Sequence, residues 1–270
     1  MSASGYAIRG GVAGRERLSL LSRVLGPSTD ALIAMSGLPP GAICLDIGCG
    51  GGDVSFSLAK AVGPTGRVLG VDIDEVKLEL ARSEARQRGL LNVAFEAHDV
   101  TAWIADELFD VVYARFLLTH LRDPVAMLSA IRRQLRPGGT LIVEDIDYRG
   151  HFAAPECAVF HRYVALYTDL ARRRGGDPEI GPRLPSLLRT AGFTHVQATM
   201  TQPVALQGGE DEGIKCLVCV TLESIADAAS KEGLATTDEL RAMIDELYAF
   251  ARDPNTVIGG PRVFQVWGVS

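Results

Sequence analysis

Residues 44–53 read CLDIGCGGGD, an apolar run closed by an acid, Asp46, just before a loop with glycines at 48, 50, 51 and 52. The run has the character of a buried strand, and the loop lets the backbone turn sharply or approach a ligand closely. Glycine loops after strands commonly receive phosphates. A dinucleotide loop, G-x-G-x-x-G, needs glycine at 53, where Asp53 stands, and a P-loop needs a Gly-Lys-Ser/Thr ending, which is absent. Charge then decides. Two unit charges about 4 Å apart interact by roughly 4 kcal/mol at an effective dielectric near 20, so Asp46 opposes a pyrophosphate and favours an amine. The loop expects a nucleoside that carries a cation.

Working outward, strand-like runs alternate with helical patterns. "AICLDI" precedes a helix near 53–62, and "RVLGVDI" precedes one near 74–88 that Gly89 stops. "NVAFEAHD", "FDVVYA" and "GTLIVED" supply three more strands, and a helix near 124–135 separates the last two. This alternation predicts a parallel sheet covered by helices on both faces. Residues 15–36 read as a helical lead-in broken at Gly26-Pro27. After Glu144 the rhythm changes to helices at 155–172, 183–193, 211–229 and from Thr236 to about Arg252, where Thr236 and Glu239 form a capping-box pattern. "THVQATMTQPVAL" and "RVFQVWGV" complete the strands.

S-adenosylmethionine meets the loop's requirement, with an ammonium, a sulfonium and no phosphate. Asp72, about 20 residues past the loop at the end of the second strand, is placed to accept from ribose hydroxyls. Asp99, ending "AHD", suits the adenine amine, with the Val100 N–H beside it.

The pieces "LDIGCGGGD", "VLGVDID", "EAHDV", "FDVVYARFLLTHLRDP" and "LRPGGTLIVED", in this order over residues 40–147, resemble the class I S-adenosylmethionine-dependent methyltransferases. "YAIRGG…ERL" and "GPRLPSLLRTAGF" extend the likeness to bacterial small-molecule members related to the quinone-biosynthesis methyltransferases. The resemblance implies an α/β, Rossmann-like seven-stranded sheet whose last strand is antiparallel, with helices on both faces and a helical cover. It also implies that Asp46, Gly48, Cys49 and Gly50 line the methionine portion, Asp72 and Ile73 hold ribose and adenine, Asp99 and Val100 meet the adenine edge, and Arg115 marks the end of strand four. S-adenosylhomocysteine would be the product.

Methyl transfer from a sulfonium is an in-line displacement, to which a protein contributes alignment, water exclusion and, for hydroxyl or carbon acids, a base. His120, after strand four, is the candidate base, and Asp147, after strand five, the second catalytic candidate. Tyr6, Tyr148, His151 and Tyr163 are the candidate acceptor contacts. The acids near His151 would suit magnesium only if ligands converged from separate loops, so no metal is expected.

The remaining composition sets bounds. The 270 residues are 47% hydrophobic and carry a net charge of −6, with no basic footprint for nucleic acid and no apolar run long enough to span a bilayer. Five cysteines without scaffold spacing suit a reducing cytoplasm, and Cys216 and Cys219, the one C-x-x-C, fall on a helical pattern as buried thiols. One domain is expected over 1–270: a helical lid at 1–36, a cofactor core at 37–147 and a substrate cover at 148–270. The activity expected is methyl transfer to an O, N or C nucleophile of a small, largely apolar metabolite, with a homodimer left open. The rivals are a pericyclase or isomerase that uses the sulfonium as a fixed charge, a non-catalytic partner or ligand sensor, and a dinucleotide oxidoreductase, which Asp46 and Asp53 disfavour.

Overall fold

The computed structural model describes residues 11–206 and 213–270. Ten strands follow in chain order: β1 (Ile43–Ile47), β2 (Arg67–Asp72), β3 (Val93–Ala97), β4 (Phe109–Arg115), β5 (Leu135–Asp147), β6 (Phe152–Ala154), β7 (Thr194–Thr201), β8 (Val204–Ala205), β9 (Val257–Gly259) and β10 (Arg262–Val269). Seven form one sheet in the order β3-β2-β1-β4-β5-β10-β7. β1 to β5 pair in parallel, while β10 runs antiparallel to both β5 and β7. The expected sheet, with its last strand reversed, is the one observed. Eight helices accompany it among the described residues: α1 (Gly11–Met35), α2 (Asp53–Val62), α3 (Glu75–Gln87), α4 (Pro124–Gln134), α5 (Ala158–Arg173), α6 (Leu184–Thr190), α7 (Gly213–Lys231) and α8 (Thr237–Arg252). None is long and apolar enough to cross a membrane.

The central strands are apolar on both faces because helices cover both. Leu45, Val112 and Leu141 pack with Leu128 and Ile131 of α4 and Leu188 of α6. Their neighbours Cys44, Val111 and Ile142 pack on the other face with Leu58 of α2 and with Leu32 and Ile33 of α1. A third cluster builds the cover, joining Leu21 and Leu25 of α1 to Phe160 and Tyr163 of α5, Leu217 and Leu222 of α7, and Leu247 of α8. The Glu239 N–H donates to Thr236 Oγ1 at 3.1 Å, starting α8 where the capping pattern placed it.

Two expectations are corrected. The lead-in does not break at Gly26-Pro27; α1 runs through Pro27 as one helix. A proline inside a helix costs about 3 kcal/mol. Fully burying an aliphatic side chain returns about 1.5–3 kcal/mol, and α1 buries Leu20, Leu21, Leu25, Leu32 and Ile33 across the cover and the sheet. Polar anchors hold the segment beyond the proline: Thr29 Oγ1 donates to Glu144 Oε2 at 2.8 Å, and Gln265 Nε2 donates to the Ser28 carbonyl at 3.1 Å. The stretch 194–206 is likewise two strands, not one. Pro203 withholds a ladder N–H, and the Gln202 side chain turns aside to donate to the Gly150 and Gly260 carbonyls at 2.6 and 2.9 Å. β8 therefore leaves the main sheet and joins β6 and β9 in a small three-stranded sheet.

Candidate active site

The strand order reverses between β1 and β4, the switch point where open α/β sheets bind ligands beyond their strand ends. A cavity of about 390 Å³ opens there, within the usual range for small-molecule sites. The glycine loop forms one wall. Gly48, Gly50 and Gly52 have φ of 75°, 54° and 81°, the left-handed region that glycine adopts without strain. The Gly48 and Cys49 N–H groups both reach the Val71 carbonyl, at 2.8 and 2.9 Å, tying the loop to β2. Space is also limiting, since a Cβ on Gly50 would stand 2.8 Å from Leu18 Cδ1.

Asp46 lies at this wall and is buried, accepting from Ser55 Oγ at 2.6 Å. Burial pushes its carboxyl up to about 6 against the opposing pull of Ser55 and Arg115. A buried acid that gains from a nearby positive charge suits an ammonium group. Asp72 also lines the cavity, with Oδ2 accepting from the Gly50 N–H at 2.8 Å and Oδ1 from the Asp74 N–H at 3.0 Å. Each carboxylate oxygen retains acceptor capacity for a ribose hydroxyl. Its second duty, holding the glycine loop, was not visible in sequence. Ile73 lines the cavity with 55% of its surface exposed, as an apolar platform for a base would be. Asp99 and Val100 line it as well, but Asp99 Oδ1 also accepts from the Thr101 N–H and Oγ1, at 3.0 and 2.7 Å. Beside them, His98 stacks on Trp103 with ring centroids 4.6 Å apart. Cys49 is a lining residue whose thiol is held well above its ordinary range by burial and by Asp46 and Asp72. Arg115 completes this side, its Nη1 at 3.5 Å from Thr29 Oγ1.

The opposite side follows β4 and β5. His120 ends a short 3-10 turn, Leu118–His120, and lines the cavity. Asp145, fully buried at the end of β5, holds this turn by accepting from the Thr119 N–H at 2.9 Å. Burial lowers His120 to about 4, assisted by the charge of Arg17, so the ring is neutral near pH 7. Beyond β5, Tyr148 stacks on Tyr167 with centroids 4.1 Å apart and shares a 2.8 Å hydrogen bond with Tyr163 through the two hydroxyls. His151 Nδ1 lies 2.9 Å from the Tyr148 carbonyl, which can only accept, so Nδ1 carries the proton and Nε2 keeps its lone pair. Tyr148, His151, Tyr163 and Tyr167 all line the cavity.

Asp147 stands apart from these residues. It is not among the residues that line the cavity, and its carboxylate binds Arg149 Nε at 2.8 Å and Arg262 Nη2 at 2.9 Å. Tyr6 lies outside the described residues. Among the described residues no cluster of three or more His, Cys, Asp or Glu could hold a metal ion. Sequence reasoning passed over Arg17, Leu18, Phe116 and Thr221, all in the cavity wall. Arg17 gave no signal, because a helical pattern does not say which polar residue faces inward. Phe116, with φ of 53°, is a strained turn that only coordinates reveal.

Residues 39–171 match the profile of a family described as "Methyltransferase domain". The ubiquinone/menaquinone biosynthesis C-methyltransferase UbiE of Burkholderia cenocepacia is 36% identical over 111 residues, covering 41% of this chain and 46% of its own length. A demethylmenaquinone methyltransferase of Lactococcus lactis is 35% identical over 128 residues, covering 47% of this chain and 48% of its own. This chain thus spans less than half the length of these two curated relatives. Among solved structures, a putative methyltransferase from Bacillus halodurans superposes with a TM-score of 0.57 at 20% identity, over 90% of this chain and 99% of that one. The [4+2]-cyclase SpnF superposes at 0.54 with 20% identity, over 90% of this chain and 80% of that one. Both likenesses are of fold. The matched segment holds the glycine loop and the strand-end acids, and over these residues the chain is similar to a methyltransferase domain and to these two quinone-biosynthesis methyltransferases.

Proposed function

We propose that the chain, acting as one domain, transfers a methyl group from S-adenosylmethionine to an O, N or C nucleophile of a small, largely apolar metabolite. One observation carries this reading: a single cavity joins the acid-lined strand ends of β1 to β3 to the aromatic wall that follows β5. The cofactor, when bound, supplies an activated methyl on a sulfonium. Asp46 holds the ammonium, Asp72 the ribose, and Ile73, Asp99 and Val100 the adenine, while the loop of Gly48, Cys49 and Gly50 fits the methionine chain closely. Arg115 offsets the acids at the end of β4. Tyr148, His151 and Tyr163 hold the acceptor and exclude water. His120, neutral and braced through Asp145, collects the acceptor's proton where there is one to lose. Asp147 keeps the salt bridges described above and takes no part.

The test is turnover: the protein is incubated with methyl-labelled S-adenosylmethionine and a set of small apolar acceptors, and both products are followed. Label in the acceptor together with an equal amount of S-adenosylhomocysteine is the expected outcome. Conversion of an acceptor with no S-adenosylhomocysteine formed would instead support the pericyclase reading, in which the cofactor is a fixed charge.

A further inference from the structure

One charged side chain in the cavity has no role in holding the cofactor. Arg17, on α1, lines the cavity, and its Nε donates to Thr221 Oγ1 of α7 at 3.2 Å. Among the described residues no carboxylate pairs with it. The same cavity wall holds Leu18, Leu21, Tyr148, Tyr163 and Leu217, apolar and hydroxyl groups that leave a charge poorly solvated. The charge is felt locally. It helps depress His120 and opposes the upward push of burial on Tyr148 and Tyr163.

The strand order gives the cavity an electrical polarity. Asp46, Asp72 and Asp99 follow β1, β2 and β3, whereas His120 and Tyr148, which feel Arg17, follow β4 and β5. The cofactor half is acidic, and the acceptor half sets Arg17 among apolar and hydroxyl groups. Thr221 itself donates its hydroxyl proton to the Leu217 carbonyl at 2.6 Å and serves only to hold the guanidinium. We propose that Arg17, positioned by Thr221, and the Tyr163 hydroxyl form an anion-recognising subsite, and that the acceptor is an apolar molecule bearing one acidic oxygen group, either a carboxylate or an ionised enol or phenol. This narrows the substrate of the methyl-transfer reading and rests on it. A cationic amine in the same aromatic wall gains cation–π attraction but meets like-charge repulsion from Arg17 in poorly screened surroundings. Arg17 anchors the acceptor; with Nε on Thr221, its Nη groups can meet the two oxygens of a carboxylate or a single ionised oxygen.

The test uses the full chain, with and without saturating S-adenosylhomocysteine, and probes of one shape: cinnamate, cinnamamide and cinnamylammonium. A fourth probe, para-nitrophenol, is titrated across its own ionisation to separate the two sources of the anion. Cinnamate should bind about tenfold or more tightly than cinnamamide, as a charge-assisted contact predicts, and cinnamylammonium should bind weakest. In Arg17→Met the preference for cinnamate over cinnamamide should fall to within about twofold, whereas Arg17→Lys should keep part of it; thermal melts establish that each variant folds. Equal binding of cinnamate and cinnamamide to the wild type, preference for the ammonium, binding of no probe, or a carboxylate preference that survives Arg17→Met overturns the subsite. S-adenosylhomocysteine affinity, read in the same titrations, keeps the two claims apart. Its absence beside an intact cinnamate preference contradicts methyl transfer and leaves the subsite standing, and the reverse result removes the subsite alone.

Discussion

Asp46 is a fully buried carboxyl pushed up to about 6, so in the free protein a fraction of it holds a proton as pH nears neutrality. An acid whose folded pKa is raised binds more protons folded than unfolded, and therefore destabilises the fold as pH rises from its ordinary value through about 6. A bound ammonium reverses that penalty. Cofactor affinity should consequently rise with pH through about 6, with proton release visible as buffer-dependent binding heats. In Asp46→Asn this pH dependence should vanish and affinity should fall by about 1.5–3 kcal/mol, the value of a hydrogen bond to a charged group. The free variant should melt above the wild type at neutral pH and closer to it at pH 4 and below, where both side chains are uncharged. His120 has the opposite sign. Its depressed pKa stabilises the fold above its unfolded value and is lost as pH falls through about 4. If it collects the acceptor's proton, His120→Ala should lower kcat by roughly 10²–10⁴ with cofactor affinity little changed. The acid limb of kcat/KM near 6 would then belong to Asp46 and should persist in that variant.

At the scale of elements, α1 closes the cavity and one arginine fastens it. Arg15 donates to Asp53 Oδ2 at 3.1 Å and to Glu84, linking α1 to the start of α2 and to α3. A Cβ on Gly51 would stand 2.5 Å from Arg15 Cδ and Nε, so Gly51→Ala should push this arginine from its acids. Removing one partner of a buried ion pair costs up to about 3–5 kcal/mol, less here because Glu84 is partly exposed. We expect faster amide exchange in the N-terminal half of α1 and weaker cofactor binding, with exchange in β1 and β4 unchanged. Asp53 thus finds a role that its place in the glycine loop did not announce. The elements themselves were largely legible: α2, α3 and α4 begin and end within a residue or two of the expected positions, because glycines, prolines and capping acids mark their ends. Pro27 misled for a tertiary reason, since the packing that carries α1 through it comes from strands and helices far along the chain.

Across the whole molecule, the strand ends of the sheet supply the acid-lined half of the cavity, and α5 and α7, with α1, line much of the other half. That division explains how much of the site could be read in advance. Asp46, Asp72 and Asp99 sit at strand ends, where chain order alone fixes position. Tyr148 followed from its place just beyond strand five, and Tyr163 from aromatic residues recurring along one face of the 155–172 helix, although the same face would serve for simple packing. Arg17 and Thr221 meet across about two hundred intervening residues, 204 apart in sequence, and no local pattern reports such a contact. Asp147 shows the converse: an acid placed well in sequence turns to two arginines instead of the cavity. All of this depends on the claim that the acid-bearing glycine loop receives a cationic nucleoside and not a dinucleotide. Calorimetric titration of the purified chain with S-adenosylmethionine, S-adenosylhomocysteine and NAD tests that claim most directly. The account predicts saturable micromolar binding of the first two, weakened by Asp46→Asn, and no binding of NAD; tight NAD binding with no response to S-adenosylmethionine would contradict it.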